Sequence, residues 1–157
     1  MQNQRRGRQS NAPDTPDDGI ESIILDLARV TRVQKGGKRL RFRVCVGIGD
    51  RKGRVGIGLA KGSDVQIAVE KAARKAKKDS ITVRITENGT IPHMMDVSFK
   101  AARILLKPAP PGTGIKAGGV IRTLSDLAGI QSISAKMIGN NNKITNAQAF
   151  IKGFKNC

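Results

Sequence analysis

The stretch RVTRVQKGGKRLRFRVCVGIGDRKGRVGIGLAK, residues Arg29–Lys61, decides how the chain is read. It carries eleven basic residues (Arg29, Arg32, Lys35, Lys38, Arg39, Arg41, Arg43, Arg51, Lys52, Arg54 and Lys61) against one acid, Asp50. Side chains alternate across a strand, so Leu40, Phe42, Val44, Val46 and Ile48 are expected on one face and Arg39, Arg41 and Arg43 on the other. Lys35-Gly36-Gly37-Lys38 predicts a hairpin turn, because glycine tolerates positive φ. After a second turn at Asp50–Gly53, Val55, Ile57 and Leu59 are expected to continue the apolar face. Arg54, Gly56 and Gly58 would then lie beside the arginines. Such a sheet is apolar beneath. Above, it offers arginines and bare glycine backbone that a phosphate chain can approach closely. A solvated antiparallel sheet whose arginines only confer solubility would show the same alternation.

The charge of the whole chain weighs against that plainer reading. The 157 residues carry a net charge of +17 with a pI near 10.8. This implies attraction to a polyanion, either nucleic acid or an acidic membrane surface. No apolar run approaches the roughly 20 residues of a spanning helix, which disfavours the membrane. The opening residues lack an apolar core segment, so no secretory signal is expected. Cys45 within a strand and Cys157 at the end, without a CxxC, read as reduced cytosolic thiols.

Taken in order, residues 1–19 are expected to be a disordered tail, with a basic arm that orders on RNA as the sharper alternative. Ile20–Val33 predicts a helical or irregular opening that leads into a strand near Leu27–Val33. Ser63 and Gln66 have capping-box spacing, which predicts a helix with Asp64 in its first turn and Lys77 and Lys78 in its last. Val65, Ile67, Ala68, Ala72, Ala73 and Ala76 would be its packing face. Lys71, Arg74, Lys75 and Lys78 would project outward, with RNA contact by Arg74 and Lys75. Ile81–Ile85 alternates as a strand, and the turn Glu87–Thr90 marks a boundary between domains 20–89 and 90–157. The second domain predicts strands at Met94–Phe99 and Arg103–Lys107, a loop at Pro108–Gly119 and a helix at Val120–Ala128. A strand at Ile130–Ile138, an Asn-rich turn and a last helix with Ile144, Ala147, Ile151 and Phe154 on one stripe complete an α+β chain. Residues 1–89 carry +10 and residues 90–157 carry +7, so a polyanion is expected to span both.

Catalytic chemistry finds little to use. GxGxxxG occurs at Gly56–Gly62, but also at Gly47–Gly53 and Gly112–Gly118, and no acid follows at the distance a ribose needs. His93 is the only histidine, and Asp96 and Asp126 are the only acids after residue 89. No metal, cofactor or small-molecule substrate is expected. Of four phenylalanines, Phe42, Phe150 and Phe154 fit apolar faces and Phe99 is open. Affinity should therefore rest on phosphate and 2′-hydroxyl contacts rather than base stacking.

The segment PAPPGTGIKAGGVIR, Pro108–Arg122, together with KGGKRLRF at residues 35–42 and GDRKGRVGIGLAKG at residues 49–62, resembles the small-subunit ribosomal protein five family. Order and spacing agree over roughly Leu25 to Phe154. The resemblance implies a double-stranded-RNA-binding-like first domain and a βαβα second domain with a left-handed crossover, against the right-handed default. It implies a non-catalytic, cytoplasmic, ribosome-bound protein near the decoding region and the path by which messenger RNA enters. Ribosomal RNA and small-subunit proteins four and eight would be its partners. The RNA set would be Arg32, Lys35, Gly36, Gly37, Lys38, Arg39, Arg41, Arg43, Arg51, Lys52, Arg54, Lys61, Arg74 and Lys75, with Lys35–Arg39 resembling a loop near the spectinomycin site. Gly112, Thr113, Gly114, Lys116, Gly118, Gly119 and Arg122 resemble the segment that faces protein four and influences decoding accuracy. Ala60 and Gly62 exchange the family's usual order around Lys61, the loop before the last helix lacks a proline often present, and the basic C-terminal tail of many members is expected to be missing after Cys157. These departures bear on the path into the first helix and on contacts with protein eight. A free double-stranded-RNA-binding regulator is the alternative function. An enzyme is a third, since the second fold also occurs in small-molecule kinases.

Overall fold

The structure of the chain is a computed structural model in which residues 19–155 are described. The tail expected over residues 1–19 lies outside them apart from Gly19. A long hairpin comes first: β1 (Glu21–Gln34) pairs antiparallel with β2 (Gly37–Gly49) across a two-residue turn, Lys35-Gly36. Gly36 sits at φ 96, the conformation the Gly-Gly pair was expected to supply. The helical opening expected before Leu27 is absent. β1 is continuous from Glu21, with a bulge at Leu25 that turns this side chain into the core. The rest of the first sheet is β3 (Arg54–Gly62), α1 (Val65–Lys78) and β4 (Ile81–Thr82), in strand order β1-β2-β3-β4. Asp64 rather than Ser63 caps α1, its carboxylate accepting from the Val65 N–H at 2.6 Å. The last strand is shorter than Ile81–Ile85, because the Val83 N–H instead donates to the Gly53 carbonyl at 2.7 Å.

The register of β2 against β3 corrects the expected faces. Val44, Val46 and Ile48 stand opposite Ala60, Gly58 and Gly56, while Cys45, Gly47 and Gly49 stand opposite Leu59, Ile57 and Val55. Paired residues share a face, so the two apolar rows lie on opposite sides of the sheet. The glycines are not open backbone beside the arginines. A Cβ at Gly56 or Gly58 would collide with the carbonyl oxygens of Ala76 or Ala72, and one at Gly62 would lie 2.8 Å from Ala68 N. Ala68, Ala72 and Ala76 are fully buried here, so the small residues of helix and strand together set how closely α1 lies on the sheet. Ile67, expected on that packing face, is 42% exposed.

The other side of the sheet is covered by the second half of the chain. β5 (Met95–Phe99), β6 (Ala102–Pro108), β7 (Ile115–Lys116), α2 (Gly119–Ala128), β8 (Ile133–Gly139) and α3 (Lys143–Lys155) build a sheet ordered β5-β6-β8-β7. The parallel pair is β7 with β8, joined through α2, so that β7-α2-β8-α3 has the expected β-α-β-α order. β7 lies inside what was expected to be a loop. β8 starts at Ile133 rather than Ile130, because Ile130 N–H closes the end of α2 on the Ser125 carbonyl and Gln131 N–H donates to Gly89. One apolar cluster joins Leu25, Cys45, Val55 and Val83 to Ile104, Leu124, Leu127 and Phe150, all under 9% exposed. Each such Leu or Ile contributes about 1.5–3 kcal/mol by leaving water. Gly47 and Gly49 let α2 approach, since a Cβ at Gly47 would lie 3.1 Å from a Leu124 methyl and one at Gly49 would strike the Leu127 carbonyl. The two halves therefore share a core.

Candidate nucleic-acid interface

α1 and the second sheet cover only the base of the hairpin. Thr31–Arg41 is exposed throughout and reaches about 15 Å beyond the covered part, at roughly 3.4 Å per residue. Register sorts its charges. Arg32 pairs with Arg39, Val30 with Arg41, Ala28 with Arg43, and Arg43 in turn with Lys61. Arg32, Arg39, Arg41, Arg43 and Lys61 therefore share one face. Arg29 and Lys38 lie on the other, opposite Phe42 and Val33. Val30, Arg32, Gln34, Arg39, Arg41 and Lys61 line a shallow groove of about 270 Å³. Two of the cross-strand pairs, Arg32–Arg39 and Arg43–Lys61, put like charges side by side, which is unfavourable unless an anion lies between or above them. Among the described residues no carboxylate pairs with Arg32, Lys35, Lys38, Arg39, Arg41 or Lys61. A Cβ at Gly36 or Gly37 would meet nothing within 4 Å, so the tip is sterically open.

The remaining basic residues stay outside the groove. Arg43 reaches Asp26 at 3.7 Å and its Nε is buried without a partner. Arg51, Lys52 and Arg54 belong to the turn at the opposite end of β2. Burial alone would raise the Asp50 pKa, but its carboxylate accepts from the N–H groups of Lys52 at 2.8 Å and Arg54 at 2.9 Å, and together with the nearby Arg54 charge these hold the pKa low. The turn is fixed to the end of α2: Arg51 N–H donates to Leu127 at 3.0 Å and Gly53 N–H to Ala128 at 2.9 Å. The Arg51 guanidinium pairs with Glu21 at 2.9 Å and Asp126 at 3.9 Å. On α1, Arg74 pairs with Glu70 at 3.6 Å, and Lys75 is exposed.

The segment Gly112–Arg122 forms a second exposed feature. Gly112 at φ 86 and Gly114 at φ 72 adopt the left-handed conformation, and Thr113 N–H donates to Pro110 at 3.2 Å. Lys116 lies on β7; Gly118 caps α2 with Met137 packed against it. Gly119 is open, and Arg122 is exposed beside Thr123 and Asp126.

A larger depression of about 690 Å³ lies beside Ile81, Ile85, Pro92, His93 and Phe154, away from both basic features. Among the described residues no group of three or more His, Cys, Asp or Glu could hold a metal ion, and no helix is long and apolar enough to cross a membrane. Cys45 is 2% exposed, and burial, reinforced by Asp26 and opposed by Arg43, pushes its thiol up to about 11. The sequence pattern gave no reason to group Lys100, between β5 and β6, with Lys152, near the end of α3, around Phe99. Only their fold neighbours reveal that they converge.

Residues 20–84 match the family model described as Ribosomal protein S5, N-terminal domain, and residues 97–157 that of Ribosomal protein S5, C-terminal domain. The small ribosomal subunit protein uS5c of Pyropia yezoensis is 45% identical over 148 residues, covering 94% of this chain and 84% of that protein. The small ribosomal subunit protein uS5 of Crocosphaera subtropica is 39% identical over 150 residues, covering 96% and 87%. The chain spans a smaller share, 44%, of the uS5c protein of Spinacia oleracea, to which it is 46% identical over 134 residues. Fold, surface and relatives together define the class as structural constituents of the small ribosomal subunit, ribosome-bound participants in translation that are not enzymes. The four-stranded antiparallel sheet with one helix, followed by a second sheet with two helices, is consistent with the two-domain architecture of that class. The chain belongs to the ribosomal protein S5 family, uS5.

Proposed function

We propose that the β1–β2 hairpin grips ribosomal RNA by its phosphates, while Gly112–Arg122 holds small-subunit protein four near the decoding region. The observation that carries the RNA reading is the pair Arg32–Arg39 set beside Arg41 and Lys61, none with a carboxylate partner among the described residues. Such a face is relieved by a phosphate chain, and its release of counterions drives binding. Lys35, Gly36, Gly37 and Lys38 form the open tip that enters the RNA. Arg43 adds charge at the margin, and Lys52, Arg54, Arg74 and Lys75 contribute longer-range attraction. Arg51 acts indirectly, by fixing the turn to α2. Gly112, Gly114, Gly118 and Gly119 give the second segment a shape without side chains, with Thr113, Lys116 and Arg122 supplying polar contacts to protein four. Residues 20–89 and 90–157 act as two domains that share one core, so RNA and protein are held in a fixed spacing. That rigidity would influence decoding accuracy near the point where messenger RNA enters, with protein eight on a further face. The compartment we assign is the cytoplasm; several relatives, including those of Pyropia and Spinacia, are chloroplast forms.

The test is the salt dependence of binding to a small-subunit ribosomal RNA transcript. Arg39→Ala or Arg41→Ala should each weaken binding and lower the log–log salt slope by about 0.7–0.9, the value for one phosphate. A slope equal to that of the wild-type protein for both variants would overturn the assignment.

A further inference from the structure

A second basic cluster lies outside the hairpin, between the ends of α1 and α3. Lys75 at the end of α1 and Lys152 and Lys155 at the end of α3 line one groove with Phe99. Lys100, on the β5–β6 turn, places its ammonium 5.4 Å from the Phe99 ring centroid, and Lys152 places its own at 5.6 Å from the same ring. Lys152 also donates to the Ser98 carbonyl at 3.5 Å. Among the described residues none of these four lysines pairs with a carboxylate; Asp79, the one acid among the lining residues, caps α1 through its backbone N–H. Lys100 stands at φ 53, a conformation that lysine adopts reluctantly. Two ammonium groups around one ring, with Lys155 three residues further along α3 and Lys75 on α1 lining the same groove, repel one another until an anion arrives.

The cluster is continuous with the hairpin face. The groove is lined by Cys45, Ile57 and Leu59, which occupy the same side of the first sheet as Arg43 and Lys61. α3 begins beside that side, where Lys143 reaches Asp26 at 3.7 Å, and Asp26 also takes Arg43. Its thirteen residues then run about 18 Å to Lys155 at 1.5 Å per residue. Basic side chains thus mark a path from Arg39 through Arg41, Lys61 and Lys143 to Lys152 and Lys100.

We propose that Lys100, Lys152, Lys155 and Lys75 form a second phosphodiester-binding site, so that one RNA segment is held by both domains along α3. Phe99 orients the two ammonium groups rather than stacking on a base. This rests on the RNA reading of the hairpin, and the test separates the two. The full chain and its variants are titrated against a small-subunit ribosomal RNA transcript over a range of salt. Lys100→Gln/Lys152→Gln/Lys155→Gln should lower the salt slope by about 2, at roughly 0.7 per phosphate, while the corresponding three Lys→Arg changes should preserve it. Lys100→Gln alone, which leaves α3 intact, should lower it by about 0.7 and guards against a folding defect in the triple variant. Arg39→Ala/Arg41→Ala is measured in parallel. A wild-type slope in the glutamine variants, with a reduced slope in the arginine-to-alanine variant, would overturn the second site and leave the hairpin reading standing. A reduced slope in the glutamine variants alone would support the second site and remove the hairpin. Wild-type slopes throughout would overturn both.

Discussion

Replacing Gly58 with alanine tests how the first sheet is built. The added methyl would strike the Ala72 carbonyl oxygen and lie 2.8 Å from both the Ala72 carbonyl carbon and the Ala76 nitrogen. These are backbone atoms of α1, which cannot rotate away as a flexible side chain could. Relief requires the helix to lift by several tenths of an ångström, loosening Ala68, Ala72 and Ala76 together. Overpacking of this kind costs typically 1–3 kcal/mol, and the rigid neighbours put this case near 3 kcal/mol. Gly58 is not at positive φ, so backbone strain does not enter. Against a total stability of roughly 5–15 kcal/mol the loss is large. At about 2–4 °C per kcal/mol for a chain of this size, the melting temperature should fall by about 6–12 °C. Urea unfolding followed by far-ultraviolet circular dichroism measures the change directly. Gly119→Ala is the control, since its Cβ would meet nothing within 4 Å, and it should be neutral or stabilising by up to about 1 kcal/mol. A Gly58→Ala protein within about 0.5 kcal/mol of wild type would refute the claim that glycine sets the helix–sheet distance.

Two further outcomes concern the junction of the two sheets and the exposed start of α2. Cys45, with its pKa raised from 9.0 to about 11, favours folding fully below pH 9 and loses that contribution as pH rises towards 11. The loss is on the order of 3 kcal/mol at most, and Cys45→Ala should show a shallower alkaline decline in unfolding free energy than wild type. Parallel declines would show that the thiol does not carry the effect. Arg122→Leu, changing an exposed side chain, should alter misreading in a reporter assay while small-subunit assembly on a sucrose gradient stays normal. Unchanged misreading would count against the protein-four contact.

Local patterns were legible from sequence where a single element carried them. The Gly36-Gly37 turn, the alternation of Arg39, Arg41 and Arg43, and the stripe of Ile144, Ala147, Ile151 and Phe154 all needed only a period and a turn residue. What failed depended on partners distant in the chain. Period two in β3 shows that Val55, Ile57 and Leu59 share a face, but not which face of β2 they join. The turn Asp50–Gly53 decides that, and a one-residue difference reverses it. The reversal was invisible because both sides of the sheet are buried, one under α1 and the other under α2. The glycines were read as room for a phosphate chain; they are room for helices. Arg51 looked like its basic neighbours until Glu21 and Asp126 came beside it. The short β7 was hidden because two residues paired to a distant strand leave no periodic trace. The cross-strand grouping of Arg32, Arg39, Arg41 and Arg43 could be anticipated for the opposite reason, since these residues lie within one local pair of strands, and only Lys61 joins them from β3.

On the proposed reading, the hairpin tip enters ribosomal RNA within the assembled small subunit. A cleavage reagent attached at Lys38→Cys, in a protein whose Cys157 is replaced by serine and whose Cys45 is shielded by burial, tests it most directly after assembly into small subunits. Strand scission confined to a discrete set of ribosomal RNA nucleotides, and much reduced when Arg39→Ala and Arg41→Ala are added, is the result predicted. Subunits that assemble with full occupancy yet show no cleavage from this position would contradict it.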